Sequence, residues 1–266
     1  MVIDKPIVMG IINVTPDSFY ETSRLRNIDV ILQKAGQMIS DGAIILDIGG
    51  QTTKPGSIEV GAQEEIDRVV PVIVELQKAF PNSFISIDTY HSKVAKTAVE
   101  VGASIVNDVS GGLMDNNMLA TVASFGTPYV CMHMKGTPQT MQQKPTYNNV
   151  TKEVLDFFIE RLAVCRQVGV NDVIVDVGFG FGKTITHNFQ LLKELCVFKM
   201  LDKPILAGLS RKSSIYKTLN ITVNEALNGT TVLNTIALLN GANILRVHDV
   251  KEAVEAIKLH ERYKKA

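Results

Sequence analysis

What this chain lacks narrows its chemistry first. It carries no excess of either charge: 27 Lys plus Arg balance 27 Asp plus Glu, so no global field draws in nucleic acid or an anionic membrane. Cysteines are few, three in all at Cys131, Cys165 and Cys196, and they form neither a CxxC pair nor a Cys/His group of metal-ligand spacing. No apolar run approaches the roughly 18 residues that span a bilayer. The first residues also lack the charged-then-apolar order of a signal peptide. The expectation is a reduced, cytoplasmic protein with no membrane anchor. GxSxG and HExxH are both missing, which speaks against a nucleophile-elbow hydrolase and against zinc hydrolysis.

Two local features have ordinary readings. Gly178 to Lys183 superficially resembles a nucleotide loop, but the GxxxxGK[ST] spacing needs glycine at position 177, where the chain has Val177. A flexible turn that lets an aromatic line a cavity and a phosphate cradle are both open for it. The basic run Lys258 to Lys265 fits the end of a solvated helix. His187 reads as a surface or capping residue, and Tyr147, His91 and His260 as surface residues.

What is present is a long alternation. With 45% hydrophobic and 20% charged residues, the chain has material for a large core. Short β-branched runs recur at 7–12, 43–48, 84–87, 104–106, 129–132, 173–175, 205–207 and 243–247. Helical patterns lie between them, such as Val30-Ile31-Lys34-Met38-Ile39, with apolar residues three or four apart. Strands that are apolar throughout belong to buried parallel sheets. Eight units of about 30 residues fill the chain with no linker, which predicts one closed (β/α)8 TIM barrel of eight parallel strands inside a ring of helices, as a single domain over 1–266. Two connections rich in Gly, Pro, Thr and Ser, 15–27 and 49–61, follow strand C-terminal ends and are expected to act as lids.

The informative signal is what ends each strand: Asn13, Asp47, Asp88, Asn107, His133, Asp176, Ser210-Arg211-Lys212 and Arg246-Val247-His248-Asp249. One Asp after a strand is usually a helix cap. Eight polar ends converging on one barrel mouth are not explained that way. Asp88, Asn107 and Asp176 offer acceptors and an amide for a flat heterocycle bearing N–H and NH2 groups, and Lys212 a donor to a ring nitrogen or carbonyl. Arg246, His248 and the Asn13 amide suit a diphosphate with Mg2+.

These segments resemble the dihydropteroate synthase family over almost the whole chain. The resemblance is carried by Met9 to Phe19, Asp47 to Gly56, Gly178 to Lys183, Ser210 to Ser213 and Arg246 to Asp249. It implies that Asp88, Asn107, Asp176 and Lys212 hold the pterin, that Asn13, Arg246 and His248 hold diphosphate and Mg2+ with Asn13 as metal ligand, and that Thr53, Pro55, Phe181 and Ser213 frame a p-aminobenzoate site. Lys212, Arg246, His248 and Asp88 are then the catalytic candidates. It also implies a homodimer joined through the last helices, inhibition by sulfonamides, and loss of pyrophosphate before the arylamine attacks. Lys54, Gln139 and Val177 depart from the family pattern, and the lead-in before the first strand is short, leaving the barrel bottom open or closed by a partner. The alternatives are a methyltetrahydrofolate:corrinoid methyltransferase and a catalytically silent pterin-binding homologue.

Overall fold

The computed structural model describes residues 3–14, 24–51, 60–141 and 145–266. The expected loops therefore lie largely outside the described residues, as do Thr53, Lys54 and Pro55. Eight parallel strands close into a barrel in chain order: β1 (Ile7–Asn13), β2 (Ile45–Gly49), β3 (Phe84–Asp88), β4 (Ile105–Asp108), β5 (Tyr129–Met132), β6 (Val173–Asp176), β7 (Ile205–Ala207) and β8 (Ile244–Val247). β8 returns to pair with β1, setting Met9 opposite Arg246. Each apolar run becomes a strand, with ends shifted by at most two residues.

The described helices are α1 (Arg24–Ser40), α2 (Ala62–Ala79), α3 (Ser92–Glu100), α4 (Met118–Phe125), α5 (Val150–Gln167), α6 (Ile185–Lys193), α7 (Ser213–Leu219), α8 (Leu227–Leu239) and α9 (Val250–Lys264). α7 and α8 share the connection between β7 and β8. None of these helices is long and apolar enough to cross a membrane. Local chemistry fixes several starts. At α5 the Asn149 side chain accepts from Lys152 N at 2.9 Å. At α6, Thr184 and His187 cap each other reciprocally, so His187 is a capping residue.

Alternation along the strands separates two cores. Side chains of a strand point to opposite faces in turn. Met9, Ile45, Ile105, Val130, Ile174, Leu206 and Ile244 pack together inside the barrel, while Val8, Leu46, Val106, Cys131, Val175, Ala207 and Leu245 join the larger core beneath the helices. Both faces are therefore apolar at the strand starts, which is why the runs read as unbroken. Ile3 and Ile7, both partly buried, pack against the inner cluster. Truncating a floor residue such as Ile174 to Ala is worth about 2–5 kcal/mol.

Two residues beyond that floor, on the same inward face, come Asp47, Asn107, Asp176 and Arg246, and Ser86 and Asp88 alternate with the outward Ile85 and Ile87. The inner face thus turns from apolar to charged toward the C-terminal end. Barrels place their active sites at that end.

Candidate active site

The centre of the mouth is Arg246. Its Nε donates to Asp47 Oδ2 at 2.6 Å and its Nη2 to Asp88 Oδ2 at 2.5 Å, joining β8 to β2 and β3 across the barrel. Asn107 Nδ2 donates to the same Asp47 oxygen at 3.1 Å. Asp47 is 0% exposed, and its other oxygen has no hydrogen-bond partner among the described residues. Burial pushes the Asp88 carboxyl up to about 7, against the pull of Arg246 and with the push of Asp47. Burial opposes the Arg246 charge as well, but Asp47 and Asp88 outweigh it and hold the guanidinium above its ordinary range.

A second group stands beside it. Asp176 Oδ1 accepts from Gly178 N at 2.8 Å. A Cβ built on Gly208 would lie 4.0 Å from Asp176 Oδ2 and 3.9 Å from Lys212 Nζ, so the two charges flank that glycine. Lys212 Nζ donates to Phe179 O and lies 4.7 Å from the Phe181 ring centre. Burial lowers Lys212 to about 8, opposed by Asp176. Burial raises Asp176, opposed first by Lys212, then by its bond from Gly178 and by Arg246. Asp176 and Arg246 are therefore at the same end of the barrel.

Asn13 and His248 lie at the rim. A Cβ on Gly49 would sit 3.7 Å from both Asn13 Oδ1 and Asp88 Cβ, so Asn13 borders the Asp88 side. His248 is exposed, with Nδ1 3.0 Å from Ser210 Oγ. Ser213 is half-buried at the first position of α7, directly after Lys212. Of the residues singled out from sequence, Asn13, Asp88, Asn107, Asp176, Phe181, Lys212, Ser213, Arg246 and His248 fall on this face. Thr53 and Pro55 lie outside the described residues.

Some contributions were not assigned a role from sequence. Asp47 was seen only as a strand end, yet it is the residue that Arg246 and Asn107 share. Lys183 is buried, and its Nζ sits 2.9 Å from His133 Nδ1 and 3.0 Å from the carbonyls of both Gly178 and Phe181. It braces the turn that supplies Phe179 O and the Phe181 ring. Gly178, with φ +69°, admits no side chain, because a Cβ would fall 1.9 Å from His133 O. The turn supports Lys212, and Gly182 serves close backbone approach as Gly178 does, since a Cβ there would fall 2.3 Å from Lys135 O. The surface reading of Tyr147, His91 and His260 is corrected: Tyr147 OH donates to Gly182 O at 2.8 Å from a half-buried position, His91 is half-buried with Nε2 3.2 Å from Val60 O, and His260 is buried. Val177 is buried in the outer core and Gln139 is exposed.

Among the described residues no group of three His, Cys, Asp or Glu gathers to hold a metal. The donor set still fits Mg2+. This ion keeps several waters and takes one or two protein oxygens plus substrate phosphates, and the Asn13 carboxamide beside Asp88 supplies a hard oxygen at the rim.

Residues 9–248 match a family model described as pterin binding enzyme. Over 261 residues the chain is 42% identical to the dihydropteroate synthase of Escherichia coli (strain K12), covering 97% of this chain and 92% of that one. The chain belongs to the dihydropteroate synthase family. It is thus a member of a transferase family. Another relative, the dihydropteroate synthase of Haemophilus influenzae, is 41% identical over 256 residues, covering 96% of this chain and 92% of that one. The solved Yersinia pestis dihydropteroate synthase with a sulfonamide drug superposes with a TM-score of 0.94 at 40% identity, covering 100% of this chain and 97% of that one. The Xanthomonas albilineans dihydropteroate synthase in complex with 7,8-dihydropteroate gives 0.88 at 33%, covering 100% and 96%. Both match the closed eight-stranded barrel.

Proposed function

We propose that this chain condenses 6-hydroxymethyl-7,8-dihydropterin diphosphate with p-aminobenzoate, giving 7,8-dihydropteroate and pyrophosphate. The observation that supports this reading is the mouth itself, where Asp88, Asn107, Asp176, Lys212, Arg246, His248 and Asn13 all lie at one end of the barrel. The carboxylates and the Asn107 amide match the N–H and NH2 edge of a pterin, and Lys212 donates to its ring acceptors. Burial strengthens each of these contacts.

In the reaction the methylene carbon–oxygen bond breaks, and its electron pair leaves with the pyrophosphate. The remaining cation is delocalised into the pterin ring. The arylamine nitrogen then forms the new bond and loses a proton to water. In this reading Arg246, held by Asp47 and Asp88, meets the leaving charge as it develops, and His248 adds a donor at the rim. One preorganised donor of this kind is worth about 3 kcal/mol of barrier. Mg2+, when bound, neutralises diphosphate charge; Asn13 is the residue that would hold it. Phe181 and Ser213, with Thr53 and Pro55, frame the p-aminobenzoate site and align the amine with the cation.

The same reading makes the protein a cytoplasmic homodimer. Val232 and Leu239 on α8 and Leu259 and Tyr263 on α9 are large exposed apolar side chains in support of an interface there. The test is an assay of pyrophosphate release by the purified protein. Release that needs both substrates and Mg2+, and is suppressed competitively against p-aminobenzoate by sulfonamides, is the expected result. Methyl transfer from methyltetrahydrofolate without pyrophosphate would replace it with the corrinoid-linked reaction, and pterin binding without turnover with a silent binding protein.

A further inference from the structure

The hydroxyl of Ser210 is the least expected part of the leaving-group side. Ser210 follows β7 and is only 5% exposed. Its Oγ accepts the backbone N–H of His248 at 3.2 Å and lies 3.0 Å from His248 Nδ1. A hydroxyl has one proton and two acceptor positions. If Nδ1 carried the ring proton, Oγ would accept twice and its own proton would be stranded in a buried place, with no other acceptor recorded among the described residues. If Nδ1 is bare, Oγ accepts the backbone N–H and donates to Nδ1, and every group is satisfied.

We propose that Ser210 is a positioning residue that fixes His248 as the neutral Nε2–H tautomer, so that the ring offers the leaving diphosphate a donor and never a lone pair. This rests on the reading above that His248 faces the diphosphate. Although His248 as a residue reaches solvent, the ring's surroundings agree with a neutral imidazole: the protein packed about it first, then Arg246, Lys34 and Arg211, hold it below its ordinary pKa against Asp249. Arg211 is itself engaged by Asp249, Nε to Oδ2 at 2.9 Å and Nη2 to Oδ1 at 2.8 Å. Ionised phosphate oxygens accept hydrogen bonds, so the opposite tautomer would set lone pair against lone pair. A ring locked in this way is also unfit to take the proton of the arylamine, since its one bare nitrogen is occupied by Ser210. His248 therefore acts as a hydrogen-bond donor and not as a general base.

The test is a long-range proton–nitrogen correlation spectrum of the protein labelled with 15N-histidine, at neutral pH and without substrates. The His248 ring is assigned by its absence in His248→Gln. The wild type is expected to show a bare Nδ1 and a protonated Nε2, Ser210→Ala a mixture of tautomers, and Ser210→Thr the wild-type pattern. In turnover, Ser210→Ala should lower kcat/KM for the pterin diphosphate by roughly three- to ten-fold, the scale of one neutral hydrogen bond, with affinity for a pterin lacking the diphosphate unchanged. Ser210→Thr should restore the rate. A protonated Nδ1 in the wild type, an unaltered tautomer in Ser210→Ala, or an unaltered rate in Ser210→Ala each overturns the proposal. The spectrum is read without substrate, so it fails or succeeds independently of the proposed reaction.

Discussion

Asp47 offers the sharpest test of how the mouth is held together. Replacing it by Ala removes the acceptor for Arg246 Nε at 2.6 Å and for Asn107 Nδ2 at 3.1 Å. Both bonds end on the Asp47 carboxylate, and a hydrogen bond to a charged group is worth about 1.5–3 kcal/mol. Arg246 keeps a fifth of its side-chain exposure, 21%, so solvent takes up part of the loss and the lower half of the charged range applies. Loss of the carboxylate also lets Asn107 turn away. The expected destabilisation is about 2–3 kcal/mol, or roughly 4–12 °C in Tm for a chain of this size. Asp47→Asn keeps the volume and part of the hydrogen bonding, so it should lose about half as much. The assay is a urea or thermal melt on Asp47→Ala, Arg246→Met and the double variant. Because the two side chains touch, the double variant should be less damaged than the sum of the singles by about 1–2 kcal/mol. Strict additivity, or an Asp47→Ala protein as stable as the parent, would refute the clamp.

Three further outcomes follow from the same geometry. Because burial lowers Lys212 to about 8, its ammonium is lost as pH rises through that value, and kcat/KM for the pterin substrate should fall above about pH 8; a profile flat to pH 10 contradicts a donating Lys212. Asp88 is raised by burial to about 7 against an ordinary 3.8, so the folded state holds its proton more tightly than the unfolded chain, and this group's contribution to stability is lost as pH rises from about 4 to about 7. Melts across that window should show Asp88→Asn losing less stability with rising pH than the parent. Gly178→Ala combines a positive φ with a Cβ 1.9 Å from a backbone carbonyl, so it should cost at least about 2 kcal/mol and weaken pterin binding; parental stability would mean that the turn is pliable.

The strand runs were legible because the inner and outer faces are both apolar near the floor, so each strand appears as an unbroken run. The ring was legible because the inward face turns polar in its last residues, and Asp88, Asp176 and Asn13 each close a strand. The pairing was not. That Arg246 meets Asp47 depends on closure between β8 and β1 and on the register Ile11 to Asp47, facts of three dimensions separated by 199 residues of sequence. Lys183 was hidden for another reason. A lysine after a glycine-rich turn is ordinarily solvated, and its burial follows only from glycines that let the turn press against His133. Tyr147 and His260 misled in the same way, since an isolated aromatic or His carries no periodic signal of burial.

In the proposed reaction one mouth grips the pterin and its leaving group through different residues at the same time. Calorimetry can ask this directly by titrating a pterin lacking the diphosphate into the protein with and without saturating pyrophosphate and Mg2+. Simultaneous binding is the expected result, with Lys212→Met losing only the pterin and His248→Gln weakening only the pyrophosphate. Mutual exclusion of the two ligands would contradict the account.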